Sequence, residues 1–311
     1  MKKRFQLLVK LGVLTAILMY FINKSIESYA LVRNLLSSQK DDFYKWKEHK
    51  IFYQKIGEGS PILLIHDLHP SSSSQEWCEV VDKLAEKHTV YTLDLLGCGR
   101  SDKPNMTYTN YYYVMLITDF IKDVIGEKTK VMSTGISGSF TILAANMNPD
   151  LFDDITLVNP QSLNKLECVP DYRSKVLKFV MYLPIIGNSV YYLMTSETQT
   201  EFDFSEKYFY NPFHVTSKMM HTYYESAHIK QGGGRHLMAC LNGCYVNNTI
   251  RFALPNIKQD IHLIFGDHVD NAENIAKSYQ HYNEFLTYGF VEKTKMLPQL
   301  EAPEKFLAAL D

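Results

Sequence analysis

The sequence predicts an α/β protein in which helices cover both faces of a mostly parallel sheet. From residue 51 onward, short apolar segments that resemble strands alternate with helical segments, and this alternation is typical of βαβ units. The chain has 311 residues, of which 46% are hydrophobic, so it can build a substantial core. In such a sheet, functional sites lie at the carboxyl ends of the strands.

The first element is an apolar N-terminal segment that predicts a membrane anchor. A basic cluster, 2–4, precedes an apolar run, 5–22, that only Lys10 interrupts, and the run is close to the roughly 20 residues that cross a bilayer. Apolar residues surround the predicted helix, which disfavours an amphipathic core helix. A cleaved signal peptide is the alternative, because residues 28–30 resemble a cleavage site, but a polar stretch precedes them and favours an uncleaved anchor.

The charges around the anchor bear on its orientation. The basic cluster would keep the start of the chain in the cytoplasm and favours an extracytoplasmic position for the rest. Lys24, Arg33 and Lys40 follow the apolar run and oppose that orientation. We expect a single-pass membrane protein, and the charges favour an extracytoplasmic domain over a cytoplasmic one without deciding between the two sides.

Four regions follow along the chain. Residues 1–22 are the predicted anchor, and residues 23–46 are a polar linker. The strand and helix alternation occupies 47–160 and 255–311, which form the predicted core. Between them, residues 161–254 contain several predicted helices rich in Tyr, Phe and Met and are expected to form a lid over the strand ends.

Charge and cysteine usage limit the classes of partner. The chain has 32 Lys and Arg against 34 Asp and Glu, so no basic surface for nucleic acid is expected. The five cysteines are scattered, and we predict reduced thiols that pack as small apolar residues. His236, Cys240 and Cys244 recur every four residues and could share a helix face, but we interpret them as a buried apolar face. No metal or other cofactor is predicted.

Several segments at predicted strand ends carry polar residues that suggest chemistry. They are, in chain order, "ILLIHDLHPSSSSQEW", "YTLDLLGCGRSDKP" and "MSTGISGSF", and "EAPEKFLAAL" closes the chain. From about Ile51 to the C-terminus these segments resemble the α/β-hydrolase superfamily, with a helical lid as in esterase-like and dehalogenase-like members. "DLLGCGRSDKP" matches the superfamily's D-x-x-G-x-G-x-S-D-x-P pattern closely.

The "TGISGSF" segment predicts a nucleophile. A nucleophile exposed on a sharp strand-to-helix turn needs small neighbours two residues away on either side, and Gly135 and Ser139 supply them around Ser137. The resemblance implies that the backbone N–H groups of Gly138 and Leu68 stabilise the oxyanion. Asp67 stands where the superfamily has glycine, so the path of that loop is expected to differ.

The acid and the base depart from the superfamily pattern. In "IFGDHVDNAEN" the expected acid position is Val269, so we choose Asp270, one residue later, although Asp270 could equally cap a helix. When the residues around Pro298 are matched to the superfamily pattern, Met296 stands where the resemblance implies histidine. A thioether cannot accept a proton near pH 7, and loss of the triad histidine typically costs on the order of 10⁴ to 10⁶ in rate. His268 could act as a substitute base if it lies within about 3 Å of the nucleophile's Oγ.

Two functions follow from these residues. The first is a divergent serine hydrolase with a degraded triad, acting on a small or lipophilic ester or related acyl substrate that reaches it near the membrane. The second is a catalytically silent relative that binds a ligand or a partner.

Overall fold

A computed structural model describes residues 2–37 and 42–310 of the chain. The strands are β1 (Asp42–Trp46), β2 (His49–Ile56), β3 (Ser60–Ile65), β4 (His88–Leu93), β5 (Thr129–Thr134), β6 (Phe152–Val158), β7 (Ile261–Gly266) and β8 (Thr287–Val291). The α-helices are α1 (Lys2–Ala30), α2 (Val81–Leu84), α3 (Asn110–Phe120), α4 (Ser137–Met147), α5 (Leu163–Leu166), α6 (Tyr172–Tyr182), α7 (Ile186–Met194), α8 (Glu197–Phe202), α9 (Ser217–His228), α10 (Gly234–Asn242), α11 (Ala272–Tyr282), α12 (Pro298–Glu301) and α13 (Pro303–Ala308).

The described strands form one eight-stranded sheet in the order β1-β2-β4-β3-β5-β6-β7-β8. β1 pairs with β2, and β2 with β4, in antiparallel fashion, and all other pairs are parallel. This is the mostly parallel sheet that the alternation predicts. The order of the central strands brings the carboxyl ends of β3 and β5 side by side, and the site lies at these ends.

Both faces of the sheet are covered, which explains the continuous apolar runs of its central strands. In β3, Leu63 and Ile65 belong to one buried cluster, whereas Ile62 and Leu64 belong to another. Successive side chains of a strand point to opposite faces, so the two clusters are the cores on the two sides of the sheet. The larger core packs against α3 and α4, and Phe140 of α4 is fully buried in it.

The helices α5 to α10 lie between β6 and β7, and residues 161–254 are called the insertion below. Its side chains form their own small clusters. One contains Met181, Tyr191 and Tyr192. Another joins Phe204 of the insertion to Leu297 and Leu300 of the core, so this part of the insertion packs on the loop and helix that follow β8.

The helix α1 is long and apolar enough to cross a membrane by length and composition. An 18-residue stretch of it has a mean hydropathy of 2.0 and is not buried against the rest of the chain. The later part of α1 docks on the insertion, where the side-chain amide of Asn23 donates a 3.0 Å hydrogen bond to the backbone oxygen of Ile185. Beyond the helix, the carboxylate of Glu225 accepts the backbone N–H groups of Leu35 at 2.7 Å and Leu36 at 3.1 Å.

The segment predicted as a polar linker, 23–46, contains regular structure at both ends. Residues 23–30 continue α1, residues 42–46 form β1, and residues 38–41 lie outside the described residues. β1 extends the sheet, and its last residue, Trp46, is buried. The indole N–H of Trp46 donates a 2.8 Å hydrogen bond to Asp119. Sequence reasoning missed this strand because charged residues surround its few aromatic side chains.

Candidate active site

A sharp turn joins β5 to α4 at the carboxyl edge of the sheet. β5 ends at Thr134 and α4 begins at Ser137, and Gly135 between them has a left-handed backbone with φ of +56°. Glycine adopts this conformation without the steric cost that a Cβ brings. A Cβ on Gly135 would also overlap the carboxylate of Asp67. Gly135 is therefore the apex of the turn and contributes no side chain to the site.

The predicted nucleophile, Ser137, lies two residues beyond this apex. It is the first residue of α4, it is fully buried, and its hydroxyl donates a 2.7 Å hydrogen bond to the backbone oxygen of His66. The prediction centred the turn on Ser137 because Gly135 and Ser139 are small. Ser133 and Ser137 are small as well, so the sequence also permits a turn centred on Gly135, and the structure adopts that register.

The predicted oxyanion donors have other partners in the structure. The N–H of Leu68 donates a 2.9 Å hydrogen bond to Oδ1 of Asp67, and the N–H of Gly138 faces the oxygen of Gly135 at 3.4 Å within the turn. The N–H that follows the apex belongs to Ile136, and it donates to the same Asp67 Oδ1 at 2.9 Å. Two converging backbone N–H groups are the arrangement that stabilises oxyanions in acyl transfer. Here the carboxylate of Asp67 occupies the point where they converge.

The loop after β3 places a second carboxyl group next to Asp67. Oε2 of Glu76 accepts the backbone N–H of Asp67 at 3.0 Å and the hydroxyl of Thr134 at 2.9 Å. Glu76 is buried, and Asp67 is half-buried. Burial raises the pKa of Asp67, although the N–H groups of Ile136 and Leu68 oppose this shift. Burial, followed by the charge of Asp67, raises the pKa of Glu76 from its usual value of 4.5 to about 7.

These residues line a small internal cavity of about 20 Å³ beneath the insertion. That volume is enough for about one water molecule. Tyr208 and Tyr223 of the insertion line the cavity together with Gly135. The hydroxyl of Tyr223 faces Glu76 and is buried without a hydrogen-bond partner of good geometry. The cavity therefore combines two carboxyl groups with a phenol that lacks a hydrogen bond of good geometry.

Met296 also lines the cavity. Its loop is fixed by Asn159, whose side-chain amide donates to the backbone oxygens of Lys295 at 3.0 Å and Met296 at 2.9 Å. Met296, which stands where the resemblance implies the histidine base, thus lies at the cavity wall. Its thioether is at most a weak hydrogen-bond acceptor and takes up no proton near pH 7.

The structure places Asp270 and His268 away from this cavity. Asp270 lines a separate surface groove of about 540 Å³, and the residue that caps α11 is Asn271. His268 pairs through Nδ1 with the carboxylate of Asp267 at 2.7 Å, and its ring packs on that of Tyr210 with the ring centroids 4.1 Å apart. Neither predicted residue lines the cavity next to Gly135, and neither contacts Ser137 through a hydrogen bond.

His66 and Asp94 hold the loops of the site in place. The fully buried ring of His66 donates from Nδ1 to the oxygen of Asp67 at 2.7 Å and accepts the N–H of Leu95 on Nε2 at 3.0 Å. Burial lowers the pKa of His66 and keeps the ring neutral. Asp94 pairs with Arg100 at 3.1 Å and accepts the N–H of Ser74 at 2.7 Å. These contacts are structural.

Sequence reasoning missed six residues of the cavity: Ser72, Glu76, Thr134, Tyr208, Tyr223 and Leu297. The replacement of the superfamily's glycine by Asp67 was the one signal that this loop had changed. The two tyrosines come from the insertion, where no periodic pattern marks the residues that face the core.

The sequence and the fold were compared with known proteins. A family model described as alpha/beta hydrolase fold matches residues 60–190, and solved hydrolase structures match most of the chain. This chain has the α/β-hydrolase fold. Among the solved structures, an epoxide hydrolase named CorEH has a TM-score of 0.70 at 18% identity, covering 87% of this chain and 96% of its own. A membrane phospholipase A described as a bacterial virulence factor has a TM-score of 0.68 at 18% identity, covering 100% of this chain and 98% of its own.

Curated relatives of this α/β-hydrolase-fold protein match over a shorter stretch. An uncharacterized protein of Mycobacterium tuberculosis is 33% identical over 113 residues, which are 36% of this chain and 33% of that protein. The 2-hydroxy-6-oxo-6-(2'-aminophenyl)hexa-2,4-dienoic acid hydrolase of Metapseudomonas resinovorans is 26% identical over 113 residues, which are 36% of this chain and 39% of that enzyme. The match thus spans between a third and two fifths of the length of these relatives.

Proposed function

We propose that this chain is a membrane-anchored α/β-hydrolase-fold protein that acts by binding, without acyl transfer from a serine. The observation that carries the proposal is the carboxylate of Asp67, which accepts the N–H groups of both Leu68 and Ile136. An oxyanion that developed at this point would meet an acidic group instead of free donors. The candidate ligand site is the cavity beneath the insertion, with the insertion, 161–254, as its lid.

The positions of the catalytic triad support the same proposal. Gly135 is the apex of the turn, where the nucleophile would stand. Met296 is the residue where the base is expected, and Val269 is the residue where the acid is expected. None of these side chains can attack a carbonyl carbon or transfer a proton. Ser137 is buried, and its hydroxyl is already bound to the backbone oxygen of His66. A serine hydrolase would require the rearrangement of this whole turn.

The alternative is the divergent serine hydrolase with Ser137 as nucleophile. The similarity to a dienoic acid hydrolase over 113 residues supports it, because a relative with hydrolase activity shares this part of the fold. Fold does not fix function, however, and the groups at the site carry the claim. We favour binding because the site lacks an available nucleophile, base and oxyanion donor at the positions where the resemblance implies them.

The chemistry of the cavity indicates the class of ligand. Glu76 presents a carboxyl group with a pKa of about 7, and the Tyr223 hydroxyl beside it lacks a partner of good geometry. A ligand that both donates and accepts hydrogen bonds would satisfy the two groups together. The closed cavity of about 20 Å³ holds only one water molecule, so a larger ligand requires movement of the lid.

The helix α1 supports the membrane anchor. Its apolar part, residues 5–22, is exposed along most of its length, and a stretch of 18 residues has a mean hydropathy of 2.0. A helix of that length covers about 30 Å, close to the thickness of the hydrocarbon core of a bilayer. The likeness to a structure whose name includes membrane phospholipase A, over the whole chain, agrees with this location.

Labelling with a fluorophosphonate probe distinguishes the two functions. The full-length protein in detergent is compared with Ser137→Ala, and an active serine hydrolase serves as the control for the probe. We expect no labelling of the folded wild type above that of Ser137→Ala. Labelling that depends on Ser137 would overturn the proposal in favour of the hydrolase.

A second measurement tests whether the carboxylate of Asp67 fills the position where an oxyanion would bind. Asp67→Gly removes the carboxylate and leaves the N–H groups of Leu68 and Ile136 free to bind an anion. We expect acetate to raise the melting temperature of Asp67→Gly by several degrees more than that of the wild type. An equal effect of acetate on both proteins would show that Asp67 does not fill the position.

A further inference from the structure

Two cysteines of the insertion lie in direct contact. The sulfur atoms of Cys168 and Cys244 are 2.6 Å apart. Cys168 is exposed and Cys244 is half-buried, whereas Cys98 and Cys240 are buried in the core. The prediction that the cysteines pack as buried apolar residues is therefore confirmed for Cys98 and Cys240 and wrong for Cys78 and Cys168.

The backbones around the two cysteines are held together by other contacts. The side-chain amide of Asn247 donates a 2.7 Å hydrogen bond to the backbone oxygen of Lys165. Glu167, the neighbour of Cys168, forms a 2.8 Å ion pair with Arg251 and accepts a 3.1 Å hydrogen bond from Thr249. These contacts keep the segment after α5 against the segment after α10, independently of the sulfur atoms. Disulfides form only where the backbone already brings two cysteines close, and this site meets that requirement.

We propose that Cys168 and Cys244 form a disulfide bond by exchange with a small disulfide such as oxidised glutathione. The exposed Cys168 thiolate attacks one sulfur of the small disulfide, which releases one thiol and leaves a mixed disulfide on Cys168. The Cys244 thiolate then attacks the Cys168 sulfur and releases the second thiol. Two protein thiols are oxidised, and one small disulfide is reduced to two thiols.

The bond would close a loop that contains most of the insertion. Cys168 precedes α6 and Cys244 follows α10, so helices α6 to α10 lie inside the loop. Tyr208 and Tyr223, which cover the cavity, are part of it. A cross-link between the two ends of a segment reduces the conformations that the unfolded segment can adopt and so favours its folded arrangement. The disulfide thus fixes the base of the insertion over the site.

The experiment uses the full-length protein in detergent. The reduced protein is incubated with oxidised glutathione, free thiols are counted by maleimide mass shift, and a digest without reductant is mapped by mass spectrometry. We expect a peptide linked through Cys168 and Cys244 in the wild type and an unchanged link in Cys78→Ser, which removes the other exposed cysteine. Cys244→Ser should instead retain a glutathione adduct on Cys168.

The melting temperature supplies a second readout. Oxidation should raise it in the wild type and in Cys78→Ser by the same amount, and should leave it unchanged in the double variant Cys168→Ser/Cys244→Ser. Glutathione adducts on Cys168 of the wild type without a linked peptide, or a link that involves Cys78, would overturn the proposal.

Discussion

The carboxylate of Asp67 lies in the space that a side chain on Gly135 would occupy. A Cβ on Gly135 would overlap this carboxylate, which accepts the N–H of Ile136 in the turn and the N–H of Leu68 in the loop after β3. The two residues therefore depend on each other. A serine at the apex would need a smaller residue at position 67, which is the glycine that the superfamily pattern has there.

This dependence predicts that Gly135→Ser destabilises the protein and that Asp67→Gly relieves part of the effect. The left-handed backbone at Gly135 and the overlap with Asp67 should lower the free energy of unfolding by about 1 to 3 kcal/mol. In the Asp67→Gly background the same substitution should cost at least about 1 kcal/mol less. Urea unfolding followed by the fluorescence of the buried Trp46 and Trp77 measures both values. Strictly additive effects would contradict the overlap.

Glu76 predicts a specific pH dependence. Its pKa is about 7 in the folded protein and near its usual 4.5 in the unfolded chain, so the folded state binds more protons between these values. The contribution of Glu76 to stability is then most favourable near pH 4.5 and is lost as the pH rises through 7. Glu76→Gln cannot ionise, and its stability relative to the wild type should increase by up to about 3 kcal/mol between pH 4.5 and pH 8.

The control for this experiment is Glu79→Gln, which changes an exposed carboxyl group close to Glu76 in the sequence. Its stability relative to the wild type should change little over the same pH range. A parallel pH dependence of Glu76→Gln and the wild type would mean that Glu76 is ionised in the folded protein.

Among the helices, α1 and α9 are joined by one carboxylate. Glu225 of α9 is buried and accepts the backbone N–H groups of Leu35 and Leu36, which follow α1. Arg100 also reaches this segment and donates a 3.4 Å hydrogen bond to the oxygen of Leu36. The segment after the proposed anchor is thereby attached to the insertion.

Glu225→Ala is expected to loosen this attachment. Two N–H groups lose their acceptor, which costs about 1 to 3 kcal/mol locally. Hydrogen exchange at Leu35 and Leu36 should accelerate by roughly tenfold to a hundredfold, while exchange in the central strands stays unchanged. Glu225→Gln keeps one acceptor oxygen and should show a smaller acceleration. Equal exchange in all three proteins would show that Glu225 does not hold the segment.

The molecule as a whole consists of a packed domain and an exposed apolar helix. The buried core clusters of the described residues contain no member of residues 2–22. Deletion of residues 2–22 should therefore release the protein from membranes and leave the melting temperature of the domain within a few degrees. Alkaline carbonate extraction and thermal unfolding measure the two outcomes. A truncated protein that stays in the carbonate-washed membrane would contradict the role of α1 as the anchor.

The class of fold could be predicted from the sequence because its signals are local. The apolar runs of β3 and β7 and the glycine-rich segment after β4 are properties of a few consecutive residues, and each reports its own conformation. The apolar stretch of α1 is equally local. β1 escaped prediction because charged residues surround its few aromatic side chains, and the contact that holds Trp46, with Asp119, involves a residue far away in the sequence.

The sequence alone therefore determined the parallel sheet and the apolar N-terminal helix, and it predicted Met296 at the position where the resemblance implies the base. Only the tertiary structure decided which residue is at the apex of the turn, because Gly135 and Ser137 both have small neighbours. It also decided that the carboxylate of Asp67 lies between the N–H groups of Leu68 and Ile136. The physical reason is that β3 and β5 are adjacent in the sheet but about 70 residues apart in the chain, and a contact between them follows from strand order and register.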